Sequence, residues 1–126
     1  CVTKSFHVHG YRKNPDLNNH LYIYGSDEDA ILALQKENPA YAEKLSEKFD
    51  YTVAEVIWAI REEMARTVDD VISRRVRMLF IDSKEAVAVA PKVASILAAE
   101  LGYDKAWEEE QVKEFAKIAS NYIVED

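Results

Sequence analysis

The chain is poor in the residues that staple or punctuate a fold: one cysteine, three glycines and three prolines in 126 residues. A lone Cys1 excludes an internal disulfide. Scarce glycine and proline leave little material for tight hairpins, which favours an all-α class. No apolar run reaches the length of a membrane span and no stretch reads as a signal peptide. A cytoplasmic location is the default expectation. There is no initiator methionine before Cys1-Val2-Thr3-Lys4, so a fragment of a longer protein is expected.

Chemistry-bearing motifs are missing as well. The sequence has no Gly-rich phosphate loop, no Ser/His/Asp set, no His/Glu zinc motif and no nucleophile elbow. In particular the G-x-G-x-x-G strand-to-helix turn of a dinucleotide site is absent. No catalytic, cofactor-binding or metal-ligating residue is therefore assigned. His7 and His9 would share a face if Phe6–His9 formed a short strand ending at Gly10. With only His20 and the terminal Cys1 otherwise available, a closed four-ligand zinc shell is not expected. Positive charge is also short: 16 basic against 23 acidic residues give a net charge of −7, which disfavours nucleic acid as a partner. A local patch at Arg74, Arg75 and Arg77 is set against pairing with Asp69, Asp70 and Glu62, and pairing is favoured because no basic stripe extends beyond it.

What is present is a helical chain organised around residues 52–82. Thr52 with Glu55 reads as a capping box, followed by Val53, Val56, Ile57, Ile60 and Met64 at helical spacing. Thr67 reads as a second start, with Asp69 and Asp70 in its first turn and Arg74, Arg75 and Arg77 towards its far end, in the order the helix dipole favours. Five of the six arginines lie in this stretch, and no lysine occurs between Lys48 and Lys84. A planar, permanently charged guanidinium suits paired, partly buried places. Spacing of i, i+4 links Glu62 to Arg66, Arg66 to Asp70 and Asp70 to Arg74; exposed helix salt bridges are the plainer alternative. Helical phase from Thr67 turns Arg75 inward, towards Glu62, Glu63 or Asp82, and Arg77 outward.

The run from Glu55 to Asp82, and within it Arg66-Thr67-Val68, Asp70 and Arg74-Arg75, resembles the C-terminal helical domain of FAD-dependent glycerol-3-phosphate dehydrogenases and alpha-glycerophosphate oxidases. Ala86, Ala90-Pro91, Val93-Ala94, Glu100-Leu101-Gly102-Tyr103-Asp104, Trp107, Gln111, Phe115 and Tyr122 continue the likeness. Val76 departs from it, standing where threonine is expected. The resemblance implies a single multi-helix domain over residues 26–126, preceded by an extended segment, 1–25, that leaves a missing FAD domain. It further implies that FAD is carried by the parent and not by this chain, and that the parent oxidises sn-glycerol 3-phosphate with electrons passing to quinone. The partner expected is the FAD domain of the same parent, with a homo-oligomer left open. Membrane contact is expected only as peripheral association of the parent with the inner membrane. A free-standing helical interaction module is the alternative from another class. Glu62, Arg66, Thr67, Asp69, Asp70, Arg74, Arg75 and Arg77 are read as a structural or interdomain network.

Elsewhere, Ser26 is expected to cap a helix that Asn38-Pro39 stops, and a short helix is expected over residues 40–46. Tyr22, Tyr24, Tyr41 and Tyr51 are assigned to packing rather than to a ligand platform. Asp82 with Glu85 reads as another capping box, opening a helix whose apolar stripe keeps phase through Pro91 as one kinked helix or a restart. Gly102 ends it, and Asp104 starts a last helix with Trp107, Phe115, Ile118, Ala119 and Tyr122 on one face. Val124-Glu125-Asp126 is expected to fray.

Overall fold

Local capping chemistry sets where the helices of this protein begin, as the computed structural model shows over the described residues 1–123. The Thr52–Glu55 capping box opens α2, Val53–Glu62, with the Glu55 carboxylate accepting from the Thr52 amide at 2.7 Å. Asp82 accepts from the Glu85 amide at 2.9 Å and opens α4, Ser83–Leu101. Asp104 does the same for the Trp107 amide at the head of α5, Lys105–Ser120. Gly102 closes α4 in the left-handed conformation at φ 76°, where a Cβ is costly. Upstream lie a 3-10 segment, His20–Asp27, then α1, Glu28–Glu37, and a 3-10 turn, Pro39–Ala42. Between them and α2 runs an antiparallel pair, β1 (Lys44–Ser46) and β2 (Phe49–Thr52). A π-helical turn, Asp70–Arg75, and the short α3, Met78–Ile81, connect α2 to α4.

The core is the meeting of α2, α4 and α5 with the π turn and α3. Val56, Ile57, Ile60, Val68, Val71, Ile72, Met78 and Leu79 are buried against Val89, Val93, Leu97 and Phe115. Ala86, Ala90, Ala94 and Ala98 make α4 narrow on that side, so its neighbours approach closely. Among the described residues no helix is long and apolar enough to cross a membrane.

Several expectations are corrected. Of the short helix expected over residues 40–46 only a 3-10 turn through Ala42 forms, and Lys44–Ser46 is instead a strand of the hairpin. The hairpin needs no glycine because the Ser46 hydroxyl accepts from the Lys48 amide at 3.0 Å and closes the Glu47–Lys48 turn itself. Ser26 does not cap α1: the 3-10 segment kinks at Gly25 and leads on into the helix, and Asp27 holds the cap position without a side-chain bond. Met64 is not on the apolar stripe, because α2 has already ended and Met64 turns left-handed at φ 61° with 78% of its surface exposed. The Asp82–Glu85 box is half formed, since the Glu85 carboxylate turns instead to Ser46 and Lys48. Ile118 and Tyr122 are exposed; the buried stripe of α5 is Gln111, Phe115 and Ala119, and the helix stops at Ser120. At Pro91 the question closes in favour of one helix, since α4 is unbroken through it. The expected fraying of Val124-Glu125-Asp126 lies outside the described residues.

Residues 1–19 form neither helix nor strand, so the strand expected over Phe6–His9 is absent, and residues 20–24 are 3-10 helical rather than extended, with a kink at Gly25. An alternating sequence needs a partner strand for its backbone, and none lies beside it among the described residues. The segment is held by His9 on Asp27, by Arg12 on Glu28 and Asp29, and by a close crossing where the Ser26 amide donates to the Gly10 carbonyl at 3.1 Å. A Cβ on Gly25 would stand 1.7 Å from that oxygen, and Gly25 has φ 57°, so only glycine fits.

Candidate functional site

Residues 61–77 form a connector in which a helix ends, the chain reverses through Met64, and a second helical turn begins. Thr67 and Asp70 cap that turn reciprocally: the Asp70 amide donates to the Thr67 hydroxyl at 3.2 Å, and the Thr67 amide donates to the Asp70 carboxylate at 3.0 Å. The Arg66 amide adds a third donor at 3.1 Å. Burial works to raise the Asp70 pKa, but these bonds and the nearby Arg74 outweigh it and hold the carboxyl below its usual value. Thr67→Ala should therefore cost about 1 kcal/mol in a denaturant titration, as lost N-caps do; an unchanged midpoint would mean the cap contributes nothing.

The arginines divide sharply by partner. Arg66 donates to the carbonyls of Ile60 and Ala65, both at 2.9 Å, and so satisfies acceptors at the exposed end of α2. Its expected pairs with Glu62 and with the Asp70 side chain through its guanidinium do not form; Glu62 is exposed and has no ion pair among the described residues. Arg74 lies on Asp69 at 3.0 Å and Asp70 at 3.5 Å, and Asp69 also accepts from the Ser73 hydroxyl at 2.7 Å. Arg75 reaches back to Glu63, its Nε 2.8 Å from a carboxylate oxygen and its Nη2 donating to the Glu63 carbonyl at 2.6 Å. At Nε the N–H is not aimed along a good hydrogen-bond direction, so that contact is an ion pair without full directional bonding. Asp82, the other carboxylate in range by phase, is taken by Lys48. Burial raises the Glu63 pKa, and Arg75 opposes the shift.

Arg77 is different. The π turn breaks the helical phase before it, so residues 67–82 are not one helix; Arg77 stands in the left-handed region at φ 57° between the π turn and α3. It has no ion pair or side-chain hydrogen bond among the described residues, and with Ile23, Tyr51, Arg75, Val76, Phe80 and Ile81 it lines a shallow surface cavity.

Sequence reasoning missed a buried polar cluster beneath this connector. Glu55, 1% exposed, accepts from the Thr52 amide and hydroxyl, from the His20 ring at 3.0 Å and from the Tyr24 hydroxyl at 3.3 Å. The bond to Glu55 raises the His20 pKa above its ordinary value against the effect of burial. Burial and the same carboxylate push the Tyr24 hydroxyl upward. The capping-box reading identified Glu55 but could not see partners 31 and 35 residues away. The other two histidines stand apart, His7 stacked on Tyr11 and His9 on Asp27.

Comparison with known proteins places these features in a family. Residues 1–108 match the family model described as the C-terminal domain of alpha-glycerophosphate oxidase. A probable mitochondrial glycerol-3-phosphate dehydrogenase of Dictyostelium discoideum is 34% identical over 86% of this chain and 16% of its own length. A second, from Caenorhabditis elegans, is 32% identical over 84% of the chain and 15% of its own length. The mitochondrial glycerol-3-phosphate dehydrogenase of Bos taurus is 33% identical over 66% of the chain and 11% of its length. The chain thus spans about one sixth or less of the curated relatives it matches. No solved structure matches it.

Proposed function

The chain belongs to the family of the C-terminal domain of alpha-glycerophosphate oxidase and glycerol-3-phosphate dehydrogenase, and from that premise we propose that it serves a flavoenzyme that oxidises sn-glycerol 3-phosphate to dihydroxyacetone phosphate. The match over residues 1–108 carries this reading. FAD belongs to the rest of the parent. The only sheet among the described residues is one antiparallel hairpin, and a dinucleotide cradle needs a parallel strand–turn–helix unit with glycines at the turn. The residues of this chain do not fit that group, so no step of the reaction is drawn through them. Their work is structural: to pack on the flavin-bearing part and shape or cover its substrate entrance, with Glu62, Arg66, Thr67, Asp69, Asp70, Arg74, Arg75 and Arg77 forming the connector that sets this surface. The connector's caps and ion pairs support that reading.

Quinone is the electron acceptor we propose. Oxygen is the second reading, favoured by the oxidase named in the family description. The parent is proposed to be cytoplasmic and peripheral to the inner membrane, although the relatives above are named as mitochondrial. One preparation tests the set. The full-length parent should purify with bound flavin, reduce a quinone analogue on addition of glycerol 3-phosphate, and leave washed membranes in high salt. The 126-residue chain alone should be colourless and inactive. Flavin retained by the short chain, or a full-length protein with neither flavin nor activity, would overturn the assignment.

A further inference from the structure

We propose that the face formed by Ile23, Tyr51, Val76, Arg77, Phe80 and Ile81 is where the flavin-bearing part of the parent docks, and that Arg77 receives a carboxylate from it. The proposal rests on the functional reading above and names the surface that reading requires. Ile23, Phe80 and Ile81 are 56, 53 and 62% exposed, and they are neighbours around one cavity. Two consecutive large apolar residues at the end of a four-residue helix, both turned to solvent, make the kind of contiguous patch that marks an interaction site. The ring of Tyr122, itself exposed, meets Phe80 edge-on at 5.5 Å and widens the patch.

Arg77 gives the partner its chemistry. The other five arginines all have acceptors: Arg12 on Glu28 and Asp29, Arg61 on Glu100, Arg66 on backbone carbonyls, Arg74 on Asp69 and Asp70, Arg75 on Glu63. In a chain of net charge −7, a guanidinium without an acid among the described residues stands out. It is presented beside the apolar residues of this cavity by a backbone conformation that an L-residue adopts at a cost. Covering that patch desolvates the charge, which is tolerable only if the covering surface brings an acid. A second copy of this face does not supply one. None of the seven residues that line the cavity, Arg75 among them, is acidic, and a two-fold contact would set two unpaired Arg77 side chains against each other. The candidate with material to spare is the rest of the parent, since the Dictyostelium relative is about five times as long.

Photo-cross-linking in the full-length parent decides this. A photoreactive phenylalanine analogue in place of Phe80 should link to peptides of the flavin-bearing part of the same chain, while the analogue at Lys117 on α5 should not. Arg77→Glu should lower the Phe80 yield about tenfold or more, and Arg77→Lys should retain most of it, as for a charge pair at a contact. Links that join two copies, or no protein link from Phe80, overturn the proposal. A yield unchanged by Arg77→Glu overturns the carboxylate. Flavin content and glycerol 3-phosphate oxidation, measured on the same unirradiated protein, report the enzymatic reading separately. An active flavoprotein without the Phe80 link sinks the docking face alone.

Discussion

Glu55→Ala should destabilise this domain by about 4 kcal/mol, the largest single-residue effect expected in it. The carboxylate is fully buried and receives four donors, so its loss strands the Thr52 amide and the Tyr24 hydroxyl without acceptors and leaves His20 without its counter-charge. Each stranded buried donor costs about 1–3 kcal/mol. Alanine regains only a few tenths of a kcal/mol in helix propensity, which does not compete. Glu55→Gln keeps the shape and one acceptor, and should cost about half as much. The pH dependence follows from His20. Its folded pKa lies above its ordinary value of 6.5, so the pair's contribution is complete below that value and is lost as pH rises through the folded pKa. Denaturant titrations should show wild-type stability falling as pH rises above 6.5, and His20→Gln should flatten that slope. Equal slopes would remove His20 from the account.

The helix starts were legible because capping is local. Thr52 with Glu55, Thr67 with Asp70, and Asp104 ahead of Trp107 each carry their partner within one turn. The hairpin was not, because the turn residue that closes it, Ser46, is as common in helices and loops, and its other partner, Glu85, lies 39 residues away. Met64 misled for a related reason. Its spacing fits the stripe of α2, but Arg66 takes the Ile60 carbonyl, the Ala65 amide donates to Ala59, and the helix ends. Backbone acceptors that a side chain claims from outside the helix leave no mark on hydrophobic periodicity. The π turn at Asp70–Arg75 likewise inserts a phase shift that a 3.6-residue period cannot anticipate, which is how Val76 comes to be buried and Arg77 to stand alone.

Arg75→Ala should cost about 2 kcal/mol, with Arg77→Ala within about 0.5 kcal/mol of wild type in the 126-residue chain. A broken buried pair costs about 3–5 kcal/mol and an exposed one about 0.2–1. The Arg75 and Glu63 side chains, 36 and 27% exposed, fall between these limits, and solvent screening discounts the upper one. Arg75 also caps the chain reversal, because its Nη2 bond to the Glu63 carbonyl holds the residue next to left-handed Met64. Removing the guanidinium leaves Glu63 partly buried with its pKa already raised by desolvation and only the smaller effect of Trp58 to oppose that shift. The sign is then fixed: a raised folded pKa means stability is lost as pH rises through it, so the Arg75→Ala penalty should be larger near neutrality than in mild acid. Glu63→Gln in the Arg75→Ala background should recover part of the loss by removing the charge. In the full-length parent the order should change, because Arg77 gains a partner there while Arg75 keeps the one it has. Titrations in which Arg75 and Arg77 are equally dispensable in both proteins would show that the connector is a solvated surface and that its ion pairs hold nothing in place.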